Sequence, residues 1–185
     1  MIDVNSLRKG TTFTRDNEIY KVLDYSHTKV ARGGATIRVK VRNLRSGATY
    51  EKTFNGGERV EDIRLDHTEA QYLYNDGELY HFMDTETYEQ PAITAERLTD
   101  IIPYLTEEMV VKMSSYEGEL LDIEIPITVD LEVTEAEPGF AGDTAQGATK
   151  QVTVSTGLQV QTPLFINVGD VIRIDTRTGE YITRV

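Results

Sequence analysis

The sequence predicts an all-β protein made of three small β-barrels. Apolar and polar residues alternate with a period of two in many short runs, and turns rich in Gly, Asn and Asp separate those runs. The best helix candidate is a single short run, residues 94–102, which ends before a proline. Changes in charge and turn residues indicate three domains, residues 1–63, 64–127 and 128–185.

Charge is distributed unevenly among these ranges. The 185 residues carry a formal net charge of −12. Residues 1–63 have a net charge of +4, residues 64–127 of −12 and residues 128–185 of −4. Such asymmetry is typical of a basic binding end on an acidic body, because the acidic part weakens non-specific attachment to nucleic acid.

Residues 25–50 are the most informative stretch. They contain six basic residues and no Asp or Glu. From residue 36 onward, apolar and basic residues alternate, which predicts a half-buried strand with a cationic outer face. A weaker strand pattern at residues 21–27 suggests a long hairpin whose loop carries Arg32. Two glycines follow Arg32 and allow positive φ angles at the tip.

The basic side chains of this hairpin predict contacts with RNA. Lysine and arginine bind phosphates through charge, and the planar guanidinium of Arg32 can also donate to hydroxyls or base edges. The predicted loop tip is Gly33 and Gly34. The residues predicted to bind RNA beside the loop are Lys29, Arg38, Lys40, Arg42 and Arg45.

Strand and turn patterns also suggest a barrel type for each range. About five short strands in residues 1–63 favour a small SH3-type barrel. Two hairpin patterns, one further strand and the helix candidate in residues 64–127 favour an OB-type barrel. Residues 128–185 show only strand patterns and a glycine-rich loop at 138–147, so a third all-β unit is expected.

The composition excludes several kinds of function. The chain has no Cys, which excludes a disulfide framework, a thiolate metal site and a cysteine nucleophile. Its three His residues lack metal-ligand spacing, and no nucleotide-binding glycine motif occurs. No apolar run approaches the roughly 20 residues of a membrane helix. We therefore expect a soluble cytoplasmic protein that is not an enzyme and needs no cofactor or metal.

Nine short motifs occur in order along the chain. They are Gly33-Gly34 after Arg32, Asn43-Leu44-Arg45-Ser46-Gly47-Ala48, Lys52-Thr53-Phe54, Gln71-Tyr72-Leu73-Tyr74, Phe82-Met83-Asp84, Thr87-Tyr88-Glu89-Gln90, Gly142-Asp143-Thr144, Thr156-Gly157-Leu158 and Thr176-Arg177-Thr178-Gly179-Glu180-Tyr181. Each alone is weak, but nine in this order are specific. Over its whole length the chain resembles the bacterial elongation factor P family.

The resemblance implies a fold and a function. The implied fold is a KOW/SH3-like domain followed by two OB folds, in an elongated, L-shaped arrangement like that of tRNA. The implied function is binding to the 70S ribosome and its rRNA, beside the peptidyl-tRNA and next to the exit site. A factor of this family stimulates peptide-bond formation on prolyl-tRNA when consecutive prolines stall translation, and we expect it to act as a monomer.

The resemblance also implies roles for individual residues. By position, Arg32 faces the CCA end of the peptidyl-tRNA, and the loop Gly142-Asp143-Thr144 lies near the exit-site codon. Tyr181 and Arg184 match C-terminal positions that carry function in the family. Some members are modified at the loop-tip lysine, a route that Arg32 excludes. Of the members with arginine there, some are rhamnosylated and others work unmodified. The resemblance therefore leaves both states open for Arg32, and the first would make an arginine-modifying enzyme a further partner.

Two alternatives stay open on the sequence alone. One is a more distant paralogue within the same family. The other is a non-ribosomal tandem-barrel binding module that holds a basic protein against the acidic residues 64–127. Gln151 follows Lys150 where many members have Lys-Pro, which bears on the path of the local loop and not on the assignment to the family. Cosedimentation with ribosomes in moderate salt separates the second alternative from a ribosomal factor.

Overall fold

The computed structural model describes residues 1–30, 34–139 and 147–185, and for residues 28–30 it describes the backbone alone. These residues form sixteen β-strands and three short 3₁₀ turns without an α-helix, which confirms the all-β prediction. The strands are β1 (Ile2–Asp3), β2 (Thr12–Arg15), β3 (Glu18–Val30), β4 (Gly34–Asn43), β5 (Thr49–Asn55), β6 (Arg59–Asp62), β7 (Asp66–Asn75), β8 (Leu79–Asp84), β9 (Ala92–Thr94), β10 (Val110–Tyr116), β11 (Glu119–Glu124), β12 (Thr128–Ala136), β13 (Thr149–Val154), β14 (Gln159–Pro163), β15 (Val171–Asp175) and β16 (Tyr181–Arg184).

The described strands form three sheets. Neighbours that are consecutive in the chain, such as β3 and β4, pair antiparallel, as do the more distant β12 and β15. Short turns therefore connect most strands, as expected for small barrels. The strand orders are β1-β6-β2-β3-β4-β5, β11-β10-β7-β8-β9 and β14-β13-β12-β15-β16.

The chain divides into two compact units. Unit 1 consists of Met1–Thr68 together with Met113–Asp122, and unit 2 of Glu69–Lys112 together with Ile123–Val185. The end of the β10–β11 hairpin thus belongs with the N-terminal strands, although it is distant from them in sequence. The three domain ranges inferred from the sequence stay a prediction.

The main core of unit 1 lies against the inner face of β4. Ile37, Val39 and Val41 are each fully buried, while the basic residues between them at 38 and 40 are exposed. This confirms the alternation predicted for this strand. Phe13 and Phe54 complete the core, and their rings meet edge to face with centroids 6.2 Å apart.

A second apolar cluster in unit 1 joins β11 to the first sheet. Leu121 of β11 packs with Ile19 of β3 and with Leu44, which follows β4, and none of the three is more than 3% exposed. The half-buried side chains of Ile63 and Tyr116 extend the cluster. Ile19 and Leu44 lie near the two ends of the β3–β4 hairpin base, so Leu121 packs against that base.

Two ion pairs flank this cluster. Lys21 Nζ lies 3.1 Å from Asp122 Oδ2, and Arg45 Nη2 lies 3.2 Å from Glu119 Oε2. Partly exposed ion pairs contribute about 0–1 kcal/mol each, because water screens the charges and the side chains lose freedom. The apolar contact of Leu121 therefore stabilises this part of unit 1 more than either ion pair does.

The core of unit 2 is centred on β12. Val129, Leu131 and Val133 alternate along this strand and are buried. Tyr104 packs against the same core, and its hydroxyl lies 3.0 Å from the position that a Cβ would take at Gly179. Gly179 also has a φ angle of +76°, so both the backbone conformation and the close tyrosine favour glycine there.

The helix predicted for residues 94–102 is wrong. Thr94 ends β9 and makes no capping hydrogen bond through its side chain, and the chain then forms separate 3₁₀ turns at Ala95–Arg97 and Ile102–Tyr104. The segment is short, and Pro103 at its end cannot donate a backbone hydrogen bond. Too few hydrogen bonds would therefore form to stabilise an α-helix there. None of the helical turns in the described residues is long and apolar enough to cross a membrane.

We expect Leu121→Ala to destabilise unit 1 by about 2–5 kcal/mol, because the substitution leaves a cavity between β11 and the hairpin base. Native-state hydrogen exchange at the backbone amides of β3 and β4 measures this effect. Val110→Ala in β10, where the side chain is 50% exposed, is the control. It should change protection by less than about 1 kcal/mol. Unchanged protection of β3 and β4 in Leu121→Ala would contradict the proposed dependence.

Candidate nucleic-acid interface

The β3–β4 hairpin forms a stem that leads to the predicted loop. Ten residue pairs hold the two strands in register, and the last pair joins Val30 to Gly34. Gly34 has a φ angle of +87°, and apart from its chain neighbours no atom of the described residues lies within 4 Å of a Cβ built on it. The backbone conformation therefore favours glycine at this end of β4.

Part of the predicted site lies outside the described residues. The side chain of Lys29 belongs to this part, although its backbone pairs with Ala35. The roles assigned to these residues from the sequence therefore stay predictions. The remaining predicted site residues outside the described ranges are Arg32, Gly33, Gly142, Asp143 and Thr144.

The outer face of the stem carries acidic as well as basic side chains. Arg38 and Lys40 are exposed on the same face of β4, as predicted. Lys40 pairs across the sheet with Asp24 of β3 and with Glu51 of β5, and Arg38 Nη1 lies 3.9 Å from Glu51 Oε1. Both carboxylates lie one position outside the acid-free stretch of the sequence. The folded face is consequently less cationic than the sequence predicts.

The other two basic residues predicted to bind RNA have different surroundings. Arg42 is half-buried on β4, opposite Lys21 of β3. Arg45 donates from Nε to both carboxylate oxygens of Glu119, at 3.3 and 3.2 Å, and from Nη1 to the carbonyl oxygen of Asn17 at 2.6 Å. Arg45 thus links the base of the hairpin to β11, and an RNA phosphate would have to compete with these partners.

Arg8 is a basic residue near the stem that the sequence analysis missed. Its guanidinium carbon lies 5.5 Å from the centroid of the Tyr25 ring on β3. Arg8 Nη1 also donates to the carbonyl oxygens of Asn5 and Leu7, at 2.9 and 2.7 Å. These contacts hold a cation beside the stem. The sequence carries no signal for this contact, because residue 8 is far from the basic stretch.

Arg184, near the C-terminus, lies against an aromatic ring that the sequence analysis also missed. Its guanidinium carbon is 5.4 Å from the Phe165 ring centroid, and Nη1 is 4.0 Å from Asp170 Oδ2. Phe165 is 56% exposed, so its ring is a surface feature. Tyr181, the other predicted C-terminal site residue, is half-buried and packs against the barrel core. Of the two, Arg184 is the side chain presented to solvent.

The departure at Gln151 has a local structural consequence. Its backbone N–H donates to Glu137 Oε2 at 3.3 Å, and its carbonyl oxygen accepts from the Glu137 N–H at 3.1 Å. Proline has no N–H and could not make the first of these bonds. Gln151 therefore adds a connection between β13 and the segment that follows β12.

An ion pair fixes the turn that precedes β16. Asp175 accepts hydrogen bonds from the Arg177 backbone N–H at 2.8 Å and from the Arg177 guanidinium at 2.8 and 3.1 Å. The guanidinium is the main cause that lowers the pKa of Asp175 to about 2, with the backbone N–H second. The backbone of the same turn closes through a bond from the Gly179 N–H to the Asp175 carbonyl oxygen at 2.8 Å.

Three family descriptions match the chain in succession. The elongation factor P KOW-like domain matches residues 3–60, the elongation factor P OB domain residues 65–123, and the elongation factor P C-terminal domain residues 129–184. Proteins named elongation factor P from Thermoanaerobacter sp. (strain X514) and Moorella thermoacetica are 52% and 49% identical in sequence to this chain. Each comparison covers all of both chains. The chain belongs to the elongation factor P family.

Membership of the elongation factor P family agrees with the observed architecture. The KOW-like and OB assignments confirm the predicted barrel types. A solved structure titled eukaryotic translation initiation factor 5A, from Methanococcus jannaschii, shares the fold with a TM-score of 0.50 and 24% identity over 68% of this chain and 90% of that chain. The names of these relatives are those of translation factors and not of an enzyme class.

Acid should loosen the turn before β16. Because the pKa of Asp175 is lowered to about 2, its contribution to stability is complete above the unfolded-state pKa of about 3.9 and is lost as the pH falls toward about 2. The difference in melting temperature between the wild-type protein and Asp175→Asn should therefore shrink as the pH falls through this range. A difference that stays constant with pH would show that the Asp175–Arg177 pair does not stabilise the fold.

Proposed function

We propose that this protein binds the 70S ribosome beside the peptidyl-tRNA and stimulates peptide-bond formation where consecutive prolines stall translation. Membership of the elongation factor P family supports this proposal. The structural observation that carries it is the β3–β4 stem, in which ten residue pairs lead to the residues that flank Arg32. In this proposal the stem brings Arg32 to the CCA end of the tRNA. The protein would act in the cytoplasm.

Arg32 would act by binding and not by proton transfer. An arginine side chain has a pKa above about 12 and stays charged, so it is a poor acid or base. Its planar group can donate two parallel hydrogen bonds to a phosphate or to a base edge. Holding the CCA end in a reactive orientation lowers the barrier, and effects of this kind reach about 7–11 kcal/mol in favourable cases. The ribosome supplies the reaction centre.

Other residues would hold the factor in place. Arg38 and Lys40 are exposed on the stem and would contact RNA phosphates. At the C-terminal end, Arg184 is presented on the Phe165 ring and would contact tRNA or the ribosome. An arginine-modifying enzyme remains a proposed partner at Arg32. The remaining proposed contacts follow the family positions and are Lys29, Arg42, Arg45, Gly142, Asp143, Thr144 and Tyr181.

We expect Arg32→Ala to relieve stalling on a triple-proline message less well than the wild-type protein. The substitution removes the group that would hold the CCA end and leaves the stem intact. In vitro translation of messages with and without the proline triplet measures the effect, with ribosome binding measured in parallel. Arg64→Ala, an exposed arginine outside the hairpin, is the control. Full relief of stalling by Arg32→Ala at equal ribosome occupancy would refute the proposed role of Arg32.

The chemical state of Arg32 decides what that substitution removes. A bare arginine presents only hydrogen-bond donors, whereas a glycosylated arginine also presents sugar hydroxyls. Intact mass and peptide mapping of the protein from its native source distinguish these states. The translation assay is therefore best run with protein in the native state of Arg32.

We expect Arg38→Gln and Lys40→Gln each to weaken ribosome binding and to reduce its dependence on salt. A lost phosphate contact should lower the slope of log Kd against log salt concentration by about 0.7–0.9. Binding measured between about 50 and 200 mM salt gives this slope. Arg64→Gln changes the net charge equally without touching the stem and should leave the slope unchanged. A slope in the stem variants equal to that of Arg64→Gln would mean that these side chains form only a solvated strand face.

A further inference from the structure

We infer that Asp24 and Glu51 restrict which RNA the hairpin stem binds, because they compete with phosphate for Arg38 and Lys40. This inference rests on the proposed function, in which the two cations contact RNA. It adds two carboxylates as determinants of specificity, neither of which belongs to the basic stretch.

The four side chains share one face of three adjacent strands. Lys40 on β4 has Asp24 directly opposite on β3 and Glu51 directly opposite on β5. Directly paired residues in an antiparallel sheet have Cβ atoms about 4.5–5.5 Å apart, so both acidic side chains neighbour the Lys40 side chain on this face. Glu51 also reaches diagonally along the sheet, and its Oε1 lies 3.9 Å from Arg38 Nη1.

These side chains line a shallow groove of about 250 Å³ across the stem. A phosphate that enters the groove meets two cations and two anions, so the groove as a whole offers it no net attraction. Binding of the phosphate is electrostatically favourable only if it lies close to Arg38 and Lys40 and far from both carboxylates. The residues lining the groove are Asp24, Tyr25, Ser26, Arg38, Lys40 and Glu51.

The carboxylates can act as reversible competitors. The side chains of Arg38 and Glu51 are 61% and 66% exposed, and exposed ion pairs are weak because water screens them. A phosphate fixed in the right place by the rest of a docked RNA can therefore displace Glu51. A phosphate on a flexible strand is not held in that position, so it displaces Glu51 less readily and binds the stem only weakly. This arrangement discriminates against the wrong partner by repulsion, in addition to attracting the right one.

The test compares Glu51→Gln, Asp24→Asn and the double variant with Glu61→Gln. Glu61 is exposed on β6 and does not line the groove, so Glu61→Gln makes the same change in net charge elsewhere on unit 1. The probe is a fluorescein-labelled oligouridylate of about 12 nucleotides. Fluorescence anisotropy gives its Kd between about 50 and 200 mM KCl. Thermal unfolding verifies that each variant is folded.

We expect Glu51→Gln and Asp24→Asn each to bind the oligouridylate about two- to fivefold more tightly than Glu61→Gln. Each extra phosphate contact should steepen the salt slope by about 0.7. Equal affinities and slopes for the groove variants and Glu61→Gln would overturn the inference. If Arg38→Gln and Lys40→Gln keep the full ribosome affinity of the wild-type protein, the proposed contact of the stem with ribosomal RNA is wrong, whatever the oligouridylate result. The ribosome and oligouridylate assays therefore separate the two failures.

Discussion

The packing of Leu121 against the base of the β3–β4 hairpin is the contact on which unit 1 depends. Ile19 lies at the start of β3, and Leu44 directly follows β4. Leu121 of the distant strand β11 packs against both. Closing so long a loop of chain costs conformational entropy, which grows only slowly with loop length. Burial of apolar surface offsets this cost at about 25 cal/mol per Å². The stem that carries the proposed binding residues is thus supported at its base by β11, which begins at Glu119, long after β4 ends at Asn43.

Seven basic residues of unit 1 fall into three kinds of surroundings. Some are engaged in ion pairs at the hairpin base, some lie over aromatic rings, and others are exposed on the stem. A count of positive charges in the sequence therefore overstates the surface that is available to RNA. The ion-paired residues are Lys21 and Arg45, the residues over aromatic rings are Arg8, Arg15 and Lys52, and the exposed stem residues are Arg38 and Lys40.

An arginine near the C-terminus also lies over an aromatic ring and near a carboxylate. Arg184 lies over the exposed ring of Phe165 and near Asp170, whose Oδ2 also accepts a hydrogen bond from the Asn167 N–H at 2.8 Å. The aromatic ring and the carboxylate restrict the guanidinium without burying it. A planar group that is already oriented loses less freedom when it forms hydrogen bonds. The same cation could then serve a binding surface at little cost to the fold.

The sequence by itself determined the features that depend on near neighbours in the chain. The alternation around Ile37 and Val39 indicated which face of β4 is buried, since a strand repeats every two residues. The polar pair Asp16 and Asn17 forms the turn between β2 and β3 with φ angles of 53° and 61°, a conformation that short polar side chains tolerate. Motif order indicated the family over the whole chain, which the relatives confirm.

Only the tertiary structure decided which of these elements meet. The sequence shows an acid-free basic stretch, yet pairing across the sheet puts Asp24 and Glu51 beside Lys40. It shows Arg45 as one more cation, yet β11 brings Glu119 to it. It also suggests a helix at residues 94–102 where 3₁₀ turns form. Strand order, cross-strand partners and docked hairpins depend on burying apolar surface over the whole chain, and no local pattern encodes that balance.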